Sequence, residues 1–119
     1  MLHHISLAVA DLTVSGGFYD AALGALGYRP VFEDATAIGY GVEDGKDKFC
    51  IKLQPDSTAP GAGFHLAFAA SSRDAVDRFY AAGVAAGAAD NGMPGLRAHY
   101  GPHYYAAFVK DPDGHHIEA

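Results

Sequence analysis

The chain has 119 residues, half of them hydrophobic and 18% charged, with 8 basic against 14 acidic side chains and a formal charge of −6. This is enough for one domain with a modest core; no apolar run approaches the roughly 20 residues of a bilayer helix, and an acidic chain without a Lys/Arg cluster makes a poor partner for nucleic acid or anionic membrane. A single cysteine, Cys50, excludes an intramolecular disulfide and is too few for a thiolate zinc site, and the start shows no basic, cleavable leader, so the expected compartment is the reducing cytoplasm.

In chain order, Ile5, Leu7 and Val9 alternate with His4, Ser6 and Ala8, the pattern of a half-buried strand. Phe18, Tyr19, Ala22, Leu23 and Leu26 then share one helical face, with Gly27 as a C-terminal stop, although Gly16 and Gly17 weaken the first turn. Three strand-like runs follow, "RPVFED", "AIGYGV" and "KFCIKLQ", the last two joined by the hairpin turn "EDGKD". "PDSTAPGAG", rich in Pro, Gly and Ser, connects to a second series. There Leu66 and Phe68 alternate with His65, Ala67 and Ala69, and Ser71 with Asp74 three residues later suits a capping box. Val76, Phe79, Tyr80 and Gly83 give the next helical face. A strand near residues 88–91, then "YYAAFVK", then the turn "DPDG" and the run "HHIEA" complete the chain.

The two series are copies. "HISLAVADLTVSGGFYDAA" lies over "HLAFAASSRDAVDRFYAAG" at a constant offset, so that His4 meets His65 and Phe18-Tyr19 meets Phe79-Tyr80. Each copy reads as a strand, a helix and a run of antiparallel strands. The expected architecture is therefore α+β: one domain over 1–119, made of tandem βαβββ modules (about 1–54 and 64–119, linker about 55–63) that form half-barrel antiparallel sheets with helices outside. Aligning "CIK" with "HIE" sets Lys52 opposite Glu118. His4, His65, Lys52 and Glu118 then occupy corresponding positions, all facing away from the helices into a cup.

The pieces "HISLAVADL", "FYDAALGALGY", "FHLAFAA" and "AFVKDPDGHHIE" resemble the vicinal oxygen chelate superfamily, which includes glyoxalase I, fosfomycin-resistance thiol transferases, extradiol dioxygenases, methylmalonyl-CoA epimerase and bleomycin-resistance proteins. The resemblance spans essentially the whole chain. It implies that His4, His65 and Glu118 bind one divalent ion. Two imidazoles and a carboxylate suit Zn, Ni, Mn or Fe and leave positions open for a chelating substrate. Lys52 stands where glyoxalase I and the epimerase carry a fourth ligand, and an ammonium cannot ligate. It is either a catalytic residue beside the metal or a cation snorkelling at the rim.

The segment "NGMPGLRAHYGPHYY", residues 91–105, reads as an irregular loop over the cup mouth, with Arg97, His99, Tyr100 and Tyr104 as substrate-binding residues. The structural alternative is a dimer contact. Asp111 to Gly114 are assigned to turn formation alone, His3, His115 and His116 to the surface or pocket edge, and Cys50 to the pocket face or a small buried thiol. Phe18, Tyr19, Phe79 and Tyr80 are core, with the tyrosine hydroxyls near its edge. The resemblance thus implies a metal-dependent enzyme, of lyase/isomerase, thiol transferase or dioxygenase type, acting on a small oxygenated or thiol-derived molecule. The alternative is a metal-free sequestering protein like the bleomycin-resistance members. Either implies a homodimer.

Overall fold

A computed structural model describes residues 1–119. The first copy comprises β1 (Ile5–Val9), α1 (Leu12–Gly24), β2 (Arg29–Glu33), β3 (Ala37–Gly41) and β4 (Phe49–Leu53). The second comprises β5 (Leu66–Ala67), α2 (Arg73–Ala85), β6 (Ala89–Leu96), β7 (Tyr105–Lys110) and β8 (His116–Glu118). Each copy makes one open four-stranded sheet, ordered β1-β4-β3-β2 and β5-β8-β7-β6. In each, the first strand runs parallel to the last and the other pairs are antiparallel. This is the expected βαβββ repeat, with the correction that each sheet is mixed rather than antiparallel, because the first strand of each module pairs in parallel with its last.

Local chemistry explains the helix starts. Asp11 is extended and its side chain accepts a hydrogen bond from the Val14 N–H at 2.9 Å, so α1 begins well before the two glycines. A Cβ at Gly16 would stand 2.9 Å from Ile38 Cδ1, so the end of that side chain would have to shift. In α2 the cap is Ser72, not Ser71: its hydroxyl accepts from the Ala75 N–H at 3.1 Å.

The helices cover one face of each sheet and also pack on each other, forming a single core. Its buried members include Val9, Phe18, Tyr19, Leu23, Tyr40, Phe49, Ile51, Phe79, Val109 and Ile117. Each such side chain contributes roughly 1.5–3 kcal/mol by leaving water. The helix-helix approach is close because Gly83 lacks a side chain; a Cβ there would lie 3.1 Å from the Phe18 ring. With the helices shared at the centre, the opposite face of each sheet is left uncovered by the chain itself.

The expected loop at 91–105 is partly strand. β6 runs on to Leu96, against β7, with register shifts around Gly92. Glycine and Pro94 look like loop formers in sequence, yet a bulged edge strand also uses them. The "DPDG" turn does more than turn. Asp113 accepts from the Ala10 N–H at 2.8 Å and the Ser15 hydroxyl at 2.9 Å, tying the second module to the first. Asp111 accepts from the Tyr19 hydroxyl at 2.7 Å and bonds His115 Nδ1 at 2.8 Å. His115 is 3% exposed, so the surface expectation for it is corrected, and the Tyr19 hydroxyl lies in the core rather than at its edge.

Candidate functional site

On the uncovered face of the second sheet, Glu118 is the centre. Its carboxylate is 3% exposed, with Oε2 3.3 Å from His65 Nε2 and Oε1 accepting a 2.5 Å hydrogen bond from the Tyr104 hydroxyl. The geometry follows from strand pairing. Glu118 pairs with Ala67 on β5, next to His65, and directly faces Phe108 on β7. Ile117 points into the core, so its neighbours His116 and Glu118 point out. The Glu118 hydrogen bond, and to a lesser degree desolvation, raises the Tyr104 phenol above its ordinary value, so at neutral pH it is a donor. A cavity of about 300 Å³ opens beside them, lined by Ala67, Phe68, Ser72, Arg73, His103, Tyr104 and Glu118 among others.

The 97–104 loop is tightly closed by Arg97 N–H to Tyr104 O at 2.7 Å and Tyr100 N–H to Arg97 O at 2.9 Å. It carries a run of rings in tilted contact, His99 with Tyr100 at 4.2 Å between centroids and Tyr100 with Tyr104 at 5.3 Å. Arg97, His99, Tyr100 and Tyr104 are therefore neighbours in one loop, and of the four Tyr104 lines the cavity. Tyr104 is bonded to a carboxylate of the site itself. Phe108, which the sequence reasoning missed, faces Glu118; its place in the alternation of "YYAAFVK" was the available signal.

His4 and Lys52 lie elsewhere in the chain. His4 is exposed ahead of β1, its Nδ1 2.9 Å from His3 Nδ1, beside the loop of Gly45, Lys46, Asp47 and Lys48. It does not join His65 and Glu118 within one chain: the one group of three potential ligands whose atoms all approach within 4.8 Å is Asp111, Asp113 and His115. Thus the four positions do not line one cup inside a single chain. Lys52 is exposed, opposite Ala8 on β1 and Ala37 on β3.

The register also revises the repeat. Ile5 pairs with Phe49 and Ser6 with Cys50, whereas Leu66 pairs with Ile117 and Ala67 with Glu118. Since Ser6 corresponds to Ala67, the first-module counterpart of Glu118 is Cys50. Lys52 is two residues farther along the strand on the same face. A two-residue slip preserves alternation, which is why the sequence pattern did not detect it. Cys50 is buried, and desolvation, with Asp47 nearby, raises its thiol above the ordinary value.

The Asp111, Asp113 and His115 group has the chemistry to hold a cation. Its acceptors are already used: Asp111 Oδ1 takes the Asp113 and His115 N–H groups, Oδ2 takes Tyr19 and His115 Nδ1, and both Asp113 oxygens are engaged. Its observed role is a clamp between the modules.

Two βαβββ modules sharing a helix layer, each with an open mixed sheet, define a recurrent α+β class. A family model described as the glyoxalase/bleomycin resistance protein/dioxygenase superfamily matches residues 1–119, and the chain belongs to that superfamily. It is similar to the crystal structure of a glyoxalase/bleomycin resistance protein from Albidiferax ferrireducens, at 36% identity over 98% of this chain and 93% of that one, TM-score 0.82. A putative glyoxalase from Bacillus halodurans is 30% identical over 99% of this chain and 92% of its own, TM-score 0.73. The fosfomycin resistance protein FosX from Mesorhizobium loti, 18% identical over 99% and 88% with TM-score 0.68, shares the fold. Among curated proteins none matches.

Members of the superfamily commonly bind a divalent metal, and the donor atoms of this face bear on that. Two ligands bound at about 2.1 Å and at right to tetrahedral angles lie about 3.0–3.4 Å apart. The 3.3 Å between His65 Nε2 and Glu118 Oε2 fits. Tyr104 on Oε1 leaves Oε2 directed at the imidazole. These two residues fit as a ligand pair, and a third ligand must come from outside the group.

Proposed function

We propose that this chain is a divalent-metal-dependent enzyme acting on a small oxygenated or thiol-derived molecule, with His65 and Glu118 of one protomer and His4 of a second holding one Zn, Ni, Mn or Fe ion. The observation that carries this is the approach of His65 Nε2 to the buried carboxylate of Glu118. When bound, the ion would supply Lewis acidity toward a chelated oxygen. The protein's own contribution is positional. Tyr104 fixes the carboxylate rotamer through Oε1, the His99–Tyr100–Tyr104 rings wall the mouth, and Phe108 gives an apolar surface beside the reacting end. Lys52 is proposed as a cation near the partner's site rather than as a ligand. The uncovered faces and the separation of His4 from the other two ligands support a homodimer.

One observation favours a second reading. Tyr104 and His65 already satisfy Glu118 without an ion, as a metal-free sequestering protein would require. Metal content by mass spectrometry on untagged protein distinguishes the two. The enzyme reading expects about one ion per chain after loading, lost in His65→Ala and Glu118→Ala. Wild-type protein that cannot be loaded with any of the four metals would leave the sequestering reading.

A further inference from the structure

Beyond Phe108 on the same uncovered face lies Arg97. Its guanidinium carbon is 5.3 Å from the Phe108 ring centroid, with Nη2 donating to Met93 O at 2.6 Å and Nη1 to Leu96 O at 3.4 Å. Two glycines make the seat. A Cβ at Gly92 would stand 3.2 Å from Nη2 and 3.1 Å from the Phe108 ring, and one at Gly95 would stand 3.1 Å from Nη1. The guanidinium thus sits over an aromatic ring, oriented by carbonyls, in a space that a side chain at either glycine would crowd.

No carboxylate is within ion-pair distance of this arginine, although the chain has 14 acidic residues against 8 basic ones. A guanidinium has five N–H donors, and two carbonyls do not exhaust them. Gly92 faces Phe108, and Phe108 faces Glu118, so Arg97, Phe108 and Glu118 form a row across the sheet. Two interstrand spacings separate the ends, roughly 10 Å. A molecule held by oxygen atoms near Glu118 would pass over Phe108 and bring its far end to the guanidinium.

We infer that Arg97 is a specificity-determining residue that binds an oxyanion on the substrate, a carboxylate, phosphate or phosphonate. The inference deepens the proposed function and rests on that reading for the position of the reacting end. A lysine would not reproduce it, because the planar guanidinium fork can bind two oxygens at once.

The test is a titration of the metal-free full chain with methylphosphonate, following the Arg97 Nε–Hε resonance by nitrogen-edited NMR with sodium chloride as the ionic-strength control. The expected result is a saturable shift of that resonance, a dissociation constant raised about tenfold or more in Arg97→Gln, and a smaller loss in Arg97→Lys. A linear response equal to that of chloride, or undiminished saturable binding in Arg97→Gln, overturns the inference. The wild-type resonance reports on Arg97 directly, so the result stands even if a variant folds poorly. Metal loading is measured separately: failure to bind metal sinks the metalloenzyme reading, whereas failure of this titration alone removes only the oxyanion site.

Discussion

Tyr104 occupies one oxygen of Glu118 and leaves the other facing His65. Removing that hydroxyl in Tyr104→Phe should leave the fold intact, since the side chain is 40% exposed, and should weaken Zn binding by about 10- to 100-fold, as loss of a partner behind a metal ligand commonly does. Competition with a chromophoric chelator measures this; unchanged affinity would remove Tyr104 from the proposed metal site. Asp111 is the other residue on which much converges. Its carboxylate is fully buried beneath His115 and Tyr19, and Asp111→Asn should cost about 3 kcal/mol in urea unfolding by removing the buried acceptor shared by the His115 ring and the Tyr19 hydroxyl.

The same pair makes stability depend on pH. Burial pushes the Asp111 carboxyl up, but hydrogen bonds from His115 and Tyr19 outweigh it and hold the group below its ordinary 3.8. Its contribution is therefore present above that value and lost as pH falls through the depressed one. His115 is raised above its ordinary 6.5 by the Asp111 hydrogen bond, against burial. Its contribution is complete below 6.5 and lost as pH rises through the raised value. The joint contribution is greatest between the two ordinary values, in weakly acidic solution. Urea midpoints measured across pH should fall on the alkaline side in wild type and flatten there in His115→Gln.

At the scale of elements, the α1–α2 contact decides how the two modules meet. Gly83 admits the Phe18 ring at a distance that a Cβ would already crowd, and backbone strain plays no part, because Gly83 sits inside a regular helix. Gly83→Leu should therefore destabilise by about 1–3 kcal/mol through overpacking, despite leucine's better helix propensity. A melting temperature equal to or above wild type would show that the helices can move apart freely. The β6 strand makes a related point about glycine: Gly92 and Gly95 read as loop residues, whereas they lie in a bulged edge strand, close against the Arg97 side chain.

At the scale of the whole molecule, the shared helix layer turns each sheet's other face away from the chain's own core. His4 consequently belongs to one uncovered face and His65 with Glu118 to the other. If a partner supplies the missing ligand, His4→Ala and Glu118→Ala proteins, each unable to hold metal alone, should recover about one quarter of the wild-type metal content when unfolded and refolded together in equal amounts, because half the dimers are mixed and each mixed dimer has one intact site. Two variants that stay empty after mixing, with wild-type protein loaded in parallel, would rule out a composite site. Sedimentation of a monomer alone at micromolar concentration would do the same.

The βαβββ repeat was legible in the sequence because strand alternation, helical periodicity and turn residues are local signals, and a sequence offset of the two copies exposes their common plan. The proposed pair, His65 and Glu118, stood out for the same reason, each next to a residue packed in or against the core, one just ahead of β5 and one in β8. The register of β4 was not, since a slip of two residues leaves every side chain on its face, and only the hydrogen-bonded ladder set Cys50 rather than Lys52 against Glu118. Nor could the sequence show that "DPDGH" clamps the first module, or that Arg97 rests on Phe108. The first contact joins residues about a hundred positions apart and is made by the packing of two sheets about a common helix layer, and the second is set by the bulged β6–β7 register, neither of which a short stretch encodes.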